Sequence, residues 1–221
     1  MEKEILVEKD QVFKLIKENI YSCVVDKIEL DDRKYHHNTK IESVSGILKT
    51  GLLSTRARRR LFDKRELTDE EEYKLSDEFY VNGADHISLS SMDVDFSQKY
   101  KDEDVYNPYY TASPDIIISK DIETYWNPTN YYNEYLVNEK IPVEFFKSIE
   151  VKIFKAMEKR DIKEALEYYH EIRKIALVLK ELNLDIPVRE SSLVTSMDNE
   201  NIEALTLSKE KLINLPEIKI K

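Results

Sequence analysis

The chain has 221 residues, 41% of them hydrophobic, which suits one sizeable domain, alone or with an appendage, and excludes a disordered chain. Its 34 basic and 44 acidic residues leave a formal charge of −10, so nucleic acid cannot be held by bulk attraction, only by a local basic patch. The one cysteine, Cys23, excludes an intrachain disulfide, and the three glycines exclude a Rossmann loop or P-loop, both of which need glycines at fixed spacing.

The amino-terminal MEKEILVEKD lacks the apolar run of a signal peptide, and no stretch reaches the roughly 18 apolar residues of a membrane span. The expectation is a soluble protein of the cytoplasm, or one delivered into a target cell's cytoplasm, with no membrane partner. There is no HExxH, CxxC or EF-hand pattern. Of the histidines only His36 and His37 are adjacent, and neighbours on a strand face opposite ways, so no metal is expected.

Along the chain, residues 10–21 have apolar positions at helical spacing, with Asp10 as a candidate N-cap. Cys23 to Val25 and Lys34 to His37 suggest short strands. Residues 40–50 read as a helix with Ile41, Val44, Ile47 and Leu48 on one stripe, Thr39 as a cap candidate and Gly51 as the terminating glycine. Residues 54–80 are charge-segregated: Arg56, Arg58, Arg59, Arg60, Lys64 and Arg65 precede an acidic run from Glu66 to Glu78, with a capped helix start near Thr68. This reads as an exposed insertion, a solvated helical hairpin whose charges partly pair.

Residues 86–91 (HISLSS) alternate like a strand, and 93–100 are helical in pattern. Ile116 to Ile118, residues 131–137 (YYNEYLV) and the alternating Ile149, Val151 and Ile153 suggest three more strands. A helical period runs from about 154 to 182, and a polar tail carries one weaker helix near 200–213. Helices, then short strands without βαβ alternation, then helices indicate an α+β fold.

Two residues stand out chemically. Glu134 lies in the middle of a strand pattern, where a carboxylate on a dry face is costly without a task, although an edge strand with Glu134 in water is the simpler alternative. His37 precedes a helix, a common place for a locally satisfied histidine.

In order, the segments H-N-T-K-I-E-S-V-S-G-I-L-K-T-G-L (37–52), L-S-S-M-D-V-D-F-S-Q-K-Y (89–100) and Y-N-E-Y-L-V (132–137) resemble the three catalytic elements of the ADP-ribosyltransferase superfamily, in its poly-ADP-ribose polymerase and diphtheria-toxin branch. The resemblance covers 34 to 152 in patches. It departs from the family pattern at Leu89, where a first tyrosine is usual, and at Ile87, where a glycine is usual.

The resemblance implies a split β-sandwich of two small, mostly antiparallel sheets with flanking helices. Residues 1–153 would form the catalytic domain and 154–221 a C-terminal helical extension packed on it. It implies NAD as co-substrate, with Glu134 as catalytic carboxylate and His37 as catalytic and dinucleotide-anchoring residue. The cofactor-binding set is His37, Asn38 through its main chain, Thr39, Ser97, Tyr100 stacking on nicotinamide, and Leu89 as the aliphatic face opposite. Thr39 suits a helix cap better than a substrate contact. The activity implied is transfer of a single ADP-ribose unit to a macromolecular acceptor, a protein rather than a nucleic acid given the charge, as in a toxin or effector with an antitoxin or regulatory partner. The alternatives are an NAD glycohydrolase, a non-catalytic NAD- or ADP-ribose-binding module, and, for want of basic residues to hold a phosphate, least of all an RNA 2′-phosphotransferase.

Overall fold

A computed structural model describes residues 4–29, 35–79, 84–91, 112–126, 134–158, 161–191 and 203–221. Strand β1 (Glu4–Val7) leads through a 3₁₀ turn into α1 (Val12–Cys23). The stripe Val12, Ile16, Ile20 and Cys23, spaced by three and four residues, is fully buried, which is why the segment is helical. Asp10 is not the cap: it lies inside the 3₁₀ turn, and the N-cap is Gln11 with no side-chain bond.

Strands β2 (Val24–Glu29) and β3 (Tyr35–Asn38) precede α2 (Ile41–Thr50). Thr39 does not cap α2 either; the N-cap is Lys40, one residue later, and the Thr39 N–H extends the β3–β6 pairing by donating to the Pro114 carbonyl at 3.1 Å. Gly51 ends the helix as the pattern predicts. Its φ is 78°, its N–H bonds the Ile47 carbonyl at 2.8 Å, and a Cβ there would lie 2.5 Å from the Ile141 carbonyl oxygen.

After β4 (Leu52–Leu53), Ser54 caps the short α3 (Thr55–Arg58), and a wide turn leads to α4 (Asp69–Phe79). That helix starts at a reciprocal capping box, in which the Glu71 N–H donates to Thr68 Oγ at 3.2 Å and the Thr68 N–H donates to the Glu71 carboxylate at 3.0 Å. Four of the six basic residues are ion-paired: Arg56 with Glu72 (2.7 Å) and Asp85 (2.5 Å), Arg59 with Asp63 (2.5 Å), Arg60 with Glu66 (2.9 Å) and Arg65 with Glu71 (2.7 Å).

The remaining elements are β5 (His86–Ser91), β6 (Asp115–Ile118), β7 (Tyr125–Trp126), β8 (Glu134–Asn138), β9 (Lys140–Ile141), β10 (Phe146–Val151), α5 (Ile153–Glu158), α6 (Ile162–Glu181), β11 (Val188–Glu190), β12 (Glu203–Leu207), α7 (Lys209–Ile213) and β13 (Glu217–Ile220). The helical period from 154 to 182 is thus two helices, the second started by Asp161, whose carboxylate accepts from the Lys163 and Glu164 N–H groups. Beyond 183 the expectation of a helical extension fails in part, since β11, β12 and β13 are strands. Runs of three to five residues are too short for periodicity to separate strand from helix.

The fold is α+β, with one mixed nine-stranded sheet in the order β2-β12-β11-β10-β6-β3-β5-β8-β7, a parallel β1–β13 ribbon and an antiparallel β4–β9 ribbon. Within the large sheet β10–β11 is parallel and the other pairs are antiparallel. In place of the expected two small sheets the large sheet is continuous, with β3 and β5 paired over two residues only. The ladder between those two strands ends at His36↔Ser90, after which β3 continues with β6 alone and β5 with β8 alone, so the sheet forks there.

Strand alternation gives the sheet two different faces. One carries Ile87, Leu89, Ile116, Ile118, Val137, Ile149 and Val151, all part of the main core beneath the helices. The other carries His36, Asn38, Ser88, Ser90, Asp115, Glu134 and Glu150, placed there by the pairings His36↔Ser90↔Glu134 and Asn38↔Asp115↔Glu150. Among the described residues no helix is long and apolar enough to cross a membrane.

Candidate functional site

The expected catalytic pair converges on the fork. β3 brings His37, β8 brings Glu134, and β5 lies between them and touches both through one residue. His37 Nδ1 is 3.0 Å from the Ser88 carbonyl oxygen, and the Ser88 hydroxyl donates to Glu134 Oε1. A carbonyl only accepts, so the proton of a neutral His37 sits on Nδ1 and Nε2 is left as an acceptor. His37 is half-buried, and burial pushes its pKa below the ordinary value. The Ser88 bond and the Asp115 carboxylate oppose that shift, and the Arg58 guanidinium adds to it. The ring is therefore neutral near pH 7.

Glu134 is 5% exposed, which removes the reading of an edge-strand acid in open water. Its neighbours on the same face are Ser88, Ser90 and Leu136, whereas Tyr135 and Leu89 lie on the core face, where Tyr135 packs against Tyr35 with ring centroids 4.9 Å apart. By alternation His37 belongs to the side of Tyr35 and Glu134 to the side of His36. The imidazole meets the acid's partner in the plane of the sheet, where the ladder has ended.

Asn38 lies at the same strand end. Its side-chain amide donates to Asp115 Oδ1 at 3.1 Å and to the Ser113 carbonyl at 3.4 Å. The Thr39 N–H points toward β6, so alternation aims the main-chain N–H and C=O of Asn38 toward the β5 side of the fork. Leu89 is corrected: it is fully buried in the apolar core rather than lining an accessible surface, because HISLSS turns Ile87 and Leu89 inward and Ser88 and Ser90 the other way. Ser97 and Tyr100 lie outside the described residues, as does the helical pattern at 93–100.

The sequence reading missed Ser88, although the alternation of HISLSS already sets it apart from Leu89. It also missed Lys152. That side chain is fully buried, with Nζ 2.6 Å from Asp115 Oδ2, and nothing in the run Val151-Lys152-Ile153 marks it as more than a break in an apolar stretch. Glu150, on the same face, accepts from Ser148 Oγ at 2.6 Å and lies 3.4 Å from Arg189. Burial raises its pKa, with Ser148 and Arg189 opposing.

Scans of protein-family models, of curated proteins and of solved structures found no match to this chain.

Proposed function

We propose that the chain is an NAD-dependent mono-ADP-ribosyltransferase of the superfamily its motifs resemble. The observation that carries this reading is the double engagement of Ser88: its carbonyl takes His37 from one strand and its hydroxyl serves Glu134 from another, so two residues ninety-seven positions apart are tied to the same residue of β5 at the fork in the sheet. In this reading the forked sheet stands for the split sandwich of the family, and the dinucleotide lies at the fork where β3 and β5 part.

The chemistry follows from the charges. The bond between nicotinamide and ribose breaks with its electron pair leaving on nicotinamide, and positive charge builds on the sugar as in glycoside cleavage. The acceptor nucleophile then bonds to the same carbon and gives up its proton. A fixed carboxylate stabilises the transition state more than the ground state, which is the task assigned to Glu134. The neutral His37, with Nε2 as acceptor, suits a ribose hydroxyl. The Asn38 main chain, aimed at the fork, suits the carboxamide of nicotinamide. The acceptor is a protein, in keeping with the net charge of −10 and the internal ion pairs of Arg56, Arg59, Arg60 and Arg65. A toxin or effector role under an antitoxin or regulatory partner is part of the same reading.

The test is nicotinamide release from NAD by the wild type and by Glu134→Gln, with mass spectrometry of candidate acceptors. Release that falls roughly 10²- to 10³-fold in the variant, with an ADP-ribose adduct made by the wild type, supports the proposal. Free ADP-ribose without an adduct makes the protein an NAD glycohydrolase. Binding of NAD without release makes it a binding module.

A further inference from the structure

Asp115 is fully buried on the polar face, at the first position of β6 and directly across from Asn38. Its two carboxylate oxygens are divided between two donors. Oδ2 pairs with Lys152 Nζ at 2.6 Å, and Oδ1 accepts from the Asn38 amide at 3.1 Å. Two further bonds tie the same segments together, from the Asn38 amide to the Ser113 carbonyl and from the Thr39 N–H to the Pro114 carbonyl. The end of β3 is therefore clamped by 113–115 just where it has lost β5 as a neighbour.

A buried ion pair is a poor source of net stability, because desolvating both charges offsets their attraction; its best attested use is to fix one arrangement among several. Here the arrangement fixed is that of a strand end beyond the last β3–β5 pair. We propose that Asp115, held by Lys152, is a positioning residue for the dinucleotide: it locks the Asn38 amide and thereby sets the aim of the Asn38 main chain and of the His37 ring. The role rests on the function proposed above. Lys152 also has a stem long enough to lie among apolar neighbours while its ammonium reaches the acid, which explains a lysine between Val151 and Ile153.

The experiment is steady-state nicotinamide release from NAD by the full chain. In the paired variant Asp115→Asn/Lys152→Met both charges go and the volumes stay. Its KM for NAD rises about tenfold while kcat changes by less than about threefold, since the Glu134–Ser88 contact is untouched. Asn38→Ser, which leaves the ion pair in place, raises KM by a similar factor, and adding it to the paired variant raises KM no further, the signature of a shared path. Glu150→Gln, equally buried on the same face but not bonded to Asn38, leaves KM unchanged. Unmoved KM in the paired variant and in Asn38→Ser overturns the positioning role, as do additive effects of the two. Should the paired variant not fold, the comparison of Asn38→Ser with Glu150→Gln decides, with an equal KM effect in both counting against it. A wild type that neither binds nor cleaves NAD rejects the proposed function itself and this role with it.

Discussion

Ser88 and Glu134 are joined across the β5–β8 pair, hydroxyl to carboxylate, with the acid nearly shut off from solvent. A carboxylate in that setting is oriented by its donor. Ser88→Ala should therefore lower the rate of nicotinamide release by about tenfold, corresponding to one hydrogen bond to a charged group, and by less than Glu134→Gln does. Full activity in the alanine variant would show that Ser88 does not orient the acid.

His37 should titrate below the usual histidine value of about 6.5, because burial disfavours its charged form. A group depressed in the folded state contributes stability that is fully present above its unfolded pKa and lost as pH falls through its folded pKa. The His37 contribution thus disappears on acidification below about pH 6.5, not on going alkaline. Asp115→Asn should move the midpoint further down, since that carboxylate favours the charged ring. Proton NMR titration of the imidazole reads both shifts; an upward shift in the Asp115 variant would contradict the assignment.

Lys152→Met leaves Asp115 buried and unpaired, and should cost about 3–5 kcal/mol in denaturant unfolding. Adding Asp115→Asn should recover most of that loss. If the double variant is as unstable as the single one, the cost comes from packing around Lys152 rather than from the stranded charge.

Arg56 links the two halves of the 54–80 insertion to the turn before β5, through Glu72 and Asp85. Arg56→Met should speed amide hydrogen exchange in α4 while leaving β5 and β8 protected, and molar salt should act in the same direction on the wild type. The capping carboxylate of Glu71 is held well below the usual range by Arg65 and the Thr68 N–H. Its stabilising contribution is therefore present above the unfolded carboxylate pKa and lost only in strong acid. Exchange that accelerates equally throughout the chain would mean the insertion is not a separate unit.

Much of this was legible in the chain. The stripe of α1, the α2 segment ending at Gly51, the alternation of β5 and the capping box at Thr68 follow local rules, and the structure keeps them. The engagement of both His37 and Glu134 by Ser88 was not legible, because it depends on which strands become neighbours, information carried by no window of sequence. Leu89 shows the opposite error: its position in a motif suggested a ligand contact, while the period of the strand already turned it inward beside Ile87. Asp10 and Thr39 have suitable side chains for caps, but each helix starts one residue later than the pattern suggests, with Gln11 and Lys40 at the N-cap positions. The C-terminal strands were hidden by brevity, and Lys152 by apolar neighbours.

The pairing of β12 with β2 joins residues 203–207 to residues 24–29. During translation the earlier strand, which pairs with β12 alone, must wait with both edges bare until nearly the whole of the described chain has left the ribosome. Contacts so distant in sequence close slowly and leave strand edges open to other chains in the meantime. Nascent chains halted before residue 203 should thus depend on chaperones more than the released protein does.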